Sequence, residues 1–173
     1  MNKEIIPNAI TMANGLCGFL SIILTSTGQY TYASVFIILS MFADRYDGMV
    51  ARKLGVVSPL GKELDSICDV ISFGVAPAFL VFFKIHTASN LLLVSIIATI
   101  ICSVYVCCGA FRLARFNVTT MTDGYYQGVP ITTCGLLLAF LSFNFIKMPN
   151  IALLILTAIF GYFMVSKIKI KKI

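Results

Sequence analysis

Residues 44–69 read DRYDGMVARKLGVVSPLGKELDSICD, and this stretch decides how the rest of the chain is arranged. The chain has seven acidic residues, and five of them fall here: Glu63 and the four aspartates Asp44, Asp47, Asp65 and Asp69, which sit at the ends of two apolar runs. An aspartate at the centre of a membrane helix costs roughly 2.5 to 3.5 kcal/mol, so four unpaired ones would cost about 10 to 14 kcal/mol. A small helix bundle does not supply that readily, so the acids must face a polar cavity, with cations as compensation. At 100° per residue, Asp44, Asp47, Gly48, Ala51 and Arg52 fall within about 140° of one another, and Gly61, Asp65 and Asp69 within about 80°. Two helices joined by a short loop can therefore bring four carboxylates to one point.

Outward from this stretch the chain is apolar almost end to end. Of its 173 residues 59% are hydrophobic and 12% charged, with a mean hydropathy of +0.96, where a soluble domain carries about 25% charged residues. Breaks at Gly28-Gln29, 56–60, 84–90, 117–128 and 147–150 divide it into six candidate spanning helices: 6–28, 30–53, 61–83, 90–116, 129–146 and 150–168. The expected fold is an all-α integral membrane protein, a single membrane domain over 1–173. Pro7 suits a first helical turn, so the first helix can start as an interfacial stretch. It does not read as a cleavable signal peptide, because Pro7, Asn8, Thr11 and Asn14 interrupt its apolar core.

Charge placement supports an even number of spans. Lys3, Arg45, Arg52, Lys53, Lys62, Arg112, Arg115, Lys167, Lys169, Lys171 and Lys172 fall on one side and only Lys84 and Lys147 on the other. That asymmetry puts both termini and the aspartates on the cytoplasmic side of the cell membrane. The net charge of +6 then reports topology and affinity for anionic headgroups, and no nucleic-acid partner is expected. The cysteines, Cys17, Cys68, Cys102, Cys107, Cys108 and Cys134, lie in apolar runs without a CxxC pair and read as buried apolar residues. His86, the one histidine, reads as part of a short loop.

Hard oxygen ligands without His or Cys suit Mg²⁺, Mn²⁺ or Ca²⁺ better than zinc. Two divalent ions would balance four carboxylates, an arrangement common in displacement at phosphorus.

The spacing Asp44-x-x-Asp47-Gly48-x-x-Ala51-Arg52, eight residues, then Gly61-x-x-x-Asp65-x-x-x-Asp69 resembles the CDP-alcohol phosphotransferase signature at every fixed position. The resemblance implies that the four aspartates bind two divalent metals, Mg²⁺ or Mn²⁺, with Ca²⁺ as a non-productive occupant, and that Asp69 is the general base. It implies a nucleotide site in which Gly48 and Ala51 permit close approach, Arg52 reaches the diphosphate, and Gly61 lets the two helices approach. Upstream, Pro7-Asn8-x-x-Thr11-x-x-Asn14 is similar to the PNxxTxxN opening of many members, which adds Pro7, Asn8, Thr11 and Asn14 to the CDP-lipid site. A homodimer is also implied.

Residues 111–117, FRLARFN, and Tyr126-Gln127-Gly128-Val129-Pro130 resemble segments of the phosphatidylserine synthase branch, with Tyr126 where Phe is usual. Arg112, Arg115, Asn117 and Gln127 are therefore the candidates for holding the acceptor or a lipid phosphate. The implied reaction takes a phosphatidyl group from CDP-diacylglycerol or CDP-archaeol to the L-serine hydroxyl and releases CMP. Three alternatives stand beside it: a sister enzyme using glycerol 3-phosphate or inositol phosphate, a divalent-cation transporter, and a purely structural membrane scaffold, which would have no reason to retain the acids. A transporter gains nothing from Gly48 and Arg52 at fixed spacing.

Overall fold

The connection at 55–58 is short because both of its ends are capped by the chain itself. In the computed structural model, which describes residues 4–89, 91–118, 125–146 and 148–171, α1 (Ile5–Ser26) and α2 (Tyr30–Leu54) form an antiparallel pair. α2 ends at Gly55, φ +65°, where the Gly55 and Val56 amides close back onto the Arg52 and Ala51 carbonyls at 3.2 and 3.0 Å. A left-handed cap of this kind is inexpensive only for glycine. α3 (Pro59–Asp69) starts at Ser58, whose hydroxyl accepts from the Gly61 amide at 3.1 Å, with Pro59 in the first turn. The chain thereby turns from one aspartate-bearing helix into the other within four residues, and both pack against α1.

α3 continues through a π-helical turn, Val70–Val75, into α4 (Ala76–Ala88). Pro77 accounts for the irregularity. It has no N–H, so a carbonyl one turn earlier loses its helical partner. Tyr105, fully buried on α5 (Leu92–Val118), donates its hydroxyl to the Phe73 carbonyl at 3.0 Å and satisfies it. Gly135 on α6 (Ile131–Leu141) packs on the same turn, and a Cβ there would lie 2.8 Å from Phe73 Cα. α7 (Asn150–Val165) packs against α5.

Counting 59–88 as one interrupted helix, the described residues hold six helical segments, as the hydropathy pattern implies. Three of them, Ile5–Ser26, Pro59–Ala88 and Leu92–Val118, are long and apolar enough to cross a membrane. α2 carries too many charges to qualify by composition. α6, at 11 residues, rises only about 16 Å against a hydrocarbon core of about 30 Å; the helix expected over 129–146 ends at Leu141 and gives way to turns. His86 lies within α4, not in a loop: its ring stacks on Phe82 and its Nδ1 is 2.9 Å from Ser95 Oγ. The expected all-α fold gains a two-stranded antiparallel ribbon, β1 (Tyr125–Gln127) with β2 (Lys169–Lys171), which pairs Gln127 with Lys169.

The distribution of side chains is that of a membrane protein. Phe19, Leu92, Leu93, Ile100 and Ile151 face outward, whereas Thr25, Ser40 and Thr157 are buried. These hydroxyls donate to carbonyls on their own helices, at 2.8, 2.7 and 2.8 Å, so none of the three is left unpaired in the interior. Phe73, Leu80, Val81, Ile131, Leu138, Leu153 and Met164 form the interior.

Candidate active site

α2 and α3 bring three of the four expected carboxylates together: one oxygen each from Asp44, Asp47 and Asp65 lies within 4.8 Å of the others. Asp47 is buried and the other two are half-buried. Asp47 Oδ2 and Asp65 Oδ1 are enclosed without any hydrogen-bond donor. Like charges packed this closely repel, and enclosed carboxylate oxygens without donors are costly. The donor set, all hard oxygens, fits a divalent cation, which would remove both penalties.

Asp69 stands apart. It lies one turn deeper on α3, is only 7% exposed, and accepts a hydrogen bond from Asn14 Nδ2 at 3.1 Å. Ser72, in the π-turn, donates in turn to the Asn14 carbonyl at 2.9 Å.

A cleft of about 320 Å³ opens beside the carboxylates, at the small end of the range for small-molecule sites. Of the residues expected to bind nucleotide, Pro7, Asn8, Thr11, Gly48, Ala51, Arg52 and Gly61 all line it, together with Asp47 and Asp65. Asn14 does not. A Cβ at Gly48 would meet nothing nearer than Arg52 Nη2 at 3.9 Å, so the missing side chain leaves open space over the cleft. Gly61 abuts Asn8 on α1, with 3.3 Å between a would-be Cβ and Asn8 Oδ1, and so admits α1 and not α2. The first turn of α3, with its partial positive charge, faces the cleft through Ser58 and Gly61, which favours a phosphate there.

Ser58 and Lys62 also line the cleft, and neither was singled out for it by the motif. Ser58 was legible as an N-cap ahead of Pro59. Lys62 was absorbed into the topology signal; its Nζ donates to the Asn117 carbonyl at 3.2 Å, joining the cleft wall to the end of α5.

The acceptor candidates divide. Arg112 is buried on α5, with its guanidinium 5.3 Å from the Phe116 ring centre. Arg115 donates to the carbonyls of Gln127 at 3.0 Å and of Val165, Met164 and Ser166 at 3.2, 3.4 and 3.5 Å. It caps α7 and ties it to β1, a structural role that local spacing does not reveal. Asn117 donates to Ser66 Oγ at 2.8 Å and fixes α5 to α3. The Gln127 side chain is exposed. Lys3, Lys147, Lys172 and the side chains of Tyr126, Lys169 and Lys171 lie outside the described residues.

Comparison with known proteins agrees with this geometry. Residues 4–165 match the family model for CDP-alcohol phosphatidyltransferase. A CDP-diacylglycerol-serine O-phosphatidyltransferase of Bacillus subtilis is 39% identical over 164 residues, 95% of this chain and 88% of its own. One of the same name from Methanocaldococcus jannaschii is 41% identical over 169 residues, 96% of this chain and 74% of its own. An archaetidylserine synthase of Methanothermobacter thermautotrophicus is 38% identical over 128 residues, 73% of this chain and 52% of its own. The signature aspartates, the cleft beside them and a match that spans nearly the whole chain lead to one conclusion: the protein belongs to the CDP-alcohol phosphatidyltransferase family.

Proposed function

We propose that the protein is a membrane enzyme that transfers a phosphatidyl group from CDP-diacylglycerol, or its archaeol equivalent, to the hydroxyl of L-serine, releasing CMP. The observation that carries the reading is the convergence of Asp44, Asp47 and Asp65 within 4.8 Å beside a cleft lined by Arg52 and the first turn of α3. The names of the relatives support serine over glycerol 3-phosphate or inositol phosphate.

In this reading Asn8, Thr11 and the open face at Gly48 take the nucleotide, while Arg52 grips the diphosphate with a planar fork of donors. Asp44, Asp47, Asp65 and Asp69 are the residues that would hold two divalent ions, Mg²⁺ or Mn²⁺. Bound there, such ions supply charge neutralisation for the diphosphate and the leaving CMP. Asp69 takes the proton of the serine hydroxyl as that oxygen bonds to phosphorus and the bond from phosphorus to CMP breaks. Arg112, enclosed on α5, is the residue offered to the serine carboxylate, while Arg115 keeps the structural role described above. The lipid tails lie among the outward-facing apolar side chains, and the charge asymmetry of the loops supports a site and both termini on the cytoplasmic side. The homodimer that the resemblance implies belongs to the same proposal.

The test is an acceptor panel. Purified protein with CDP-diacylglycerol and Mn²⁺ is given L-serine, glycerol 3-phosphate or inositol phosphate, and CMP is measured. Release that depends on serine is expected; release driven by another alcohol moves the enzyme to a sister branch, and none with any alcohol removes the enzyme reading.

A further inference from the structure

α1 meets the site with two sets of residues that do different things. Pro7, Asn8 and Thr11 line the cleft. Asn14, one turn further along the same face, is fully enclosed and touches the catalytic helix instead. Its Nδ2 donates to Asp69 Oδ1 at 3.1 Å, and its carbonyl accepts from Ser72 Oγ at 2.9 Å. Asp69 is the last residue of α3 and Ser72 lies in the π-turn, so Asn14 grips the chain on both sides of that boundary.

The surrounding packing gives this contact little freedom. A Cβ at Gly15 would lie 2.9 Å from Cys68 Sγ, and one at Gly18 would lie 2.7 Å from Ser72 Cα. α1 therefore lies almost backbone to backbone against the helix that carries Asp69. The amide can face only one way, because a carboxylate accepts and does not donate. That orientation leaves Asn14 Oδ1 enclosed and without a partner. A buried acceptor of this kind opposes folding, so packing alone does not explain the residue; an apolar side chain of the same size would serve packing better.

Asp69 also falls outside the group of three carboxylates whose oxygens approach within 4.8 Å. We infer that Asn14 is a positioning residue for Asp69 and not a nucleotide ligand: by holding Oδ1 it fixes the orientation of the carboxylate and presents a single oxygen to the reacting groups. The inference rests on the proposed role of Asp69 as the group that takes the hydroxyl proton.

The test uses Asn14→Leu, which keeps the size and removes the donor, and Asn14→Ser, the smaller change, in the full-length protein. Steady-state kinetics in each substrate, Mn²⁺ affinity by electron paramagnetic resonance and thermal melting are read together. Positioning predicts kcat lowered about 10- to 100-fold, the range for a residue that orients a catalytic group, with the KM for CDP-diacylglycerol and the Mn²⁺ affinity both within about twofold of wild type. A raised KM for CDP-diacylglycerol at unchanged kcat would make Asn14 a nucleotide ligand. Loss of Mn²⁺ affinity would make it a support of the metal cluster, and failure of both variants to fold would make it a packing residue; each overturns the inference. Asp69→Asn, assayed alongside, separates the two readings: if it turns over normally the base assignment fails, and if it is inactive while both Asn14 variants match wild type, only the positioning role fails.

Discussion

The aspartate-bearing end of the α2–α3 hairpin and the junction of α5, α7 and the ribbon each hold a glycine and an arginine, and they use them in opposite ways. At the hairpin, Gly48 faces open space and Arg52 lines the cleft. At the junction, Gly128 sits at φ +78° with its missing side chain against the Met164 carbonyl, and Arg115 is taken up by four carbonyls. One pair keeps room and charge available for a ligand. The other closes the fold. Residue type near a signature is thus no guide to role until its surroundings are known.

Substitutions should separate the two regions, beginning with the largest effect. Asp65→Asn removes one of three converging carboxylates and should lower turnover by more than about 100-fold, beyond the loss seen for residues that merely orient a ligand, with the thermal midpoint unchanged or raised because one unpaired charge is gone. Gly128→Ala should do the reverse. It combines a left-handed conformation costing roughly 1 to 2 kcal/mol with a collision at Met164, so the protein should melt markedly earlier, and whatever remains folded should keep its serine KM. Arg115→Ala should destabilise by about 2 kcal/mol, through carbonyls left without a charged donor, again with the serine KM within about twofold. A serine KM raised tenfold or more at unchanged stability would instead return Arg115 to the acceptor site. Gly48→Ala is the smallest change in stability, within about 0.5 kcal/mol, yet it should raise the KM for CDP-diacylglycerol because the added methyl enters the cleft.

The hairpin was legible in the sequence because the faces of its acids and its loop are set locally, although both of its helices pack on α1. The i, i+3 and i, i+4 spacing of the acids sets their faces, and the Gly55 and Ser58-Pro59 caps set the loop. Elsewhere the determinants are distant in sequence. Arg115 meets Val165 and Ser166, about fifty residues away, and Lys84 donates to the Ser142 carbonyl at 2.6 Å from another helix. The π-turn is intermediate: Pro77 announces an irregularity, but only Tyr105 shows how the freed carbonyl is satisfied. Tyr105→Phe should accordingly destabilise by about 1 kcal/mol, and Pro77→Ala, which restores the missing N–H, should recover part of that loss in the double variant. No recovery would mean that the proline is not what frees the carbonyl. Asp69 shows the same limit within the motif, since periodicity places it on the acid face but says nothing of Asn14.

The most direct measurement is the cation dependence of serine-driven CMP release by the purified protein. Three carboxylates that crowd together with two enclosed, unpaired oxygens should work only when a divalent cation joins them. Release should vanish on exhaustive chelation with EDTA and return on addition of Mg²⁺ or Mn²⁺, with Asp65→Asn failing to recover at the same concentrations. Full serine-dependent release in a thoroughly chelated preparation would contradict a metal-assisted transfer at these aspartates.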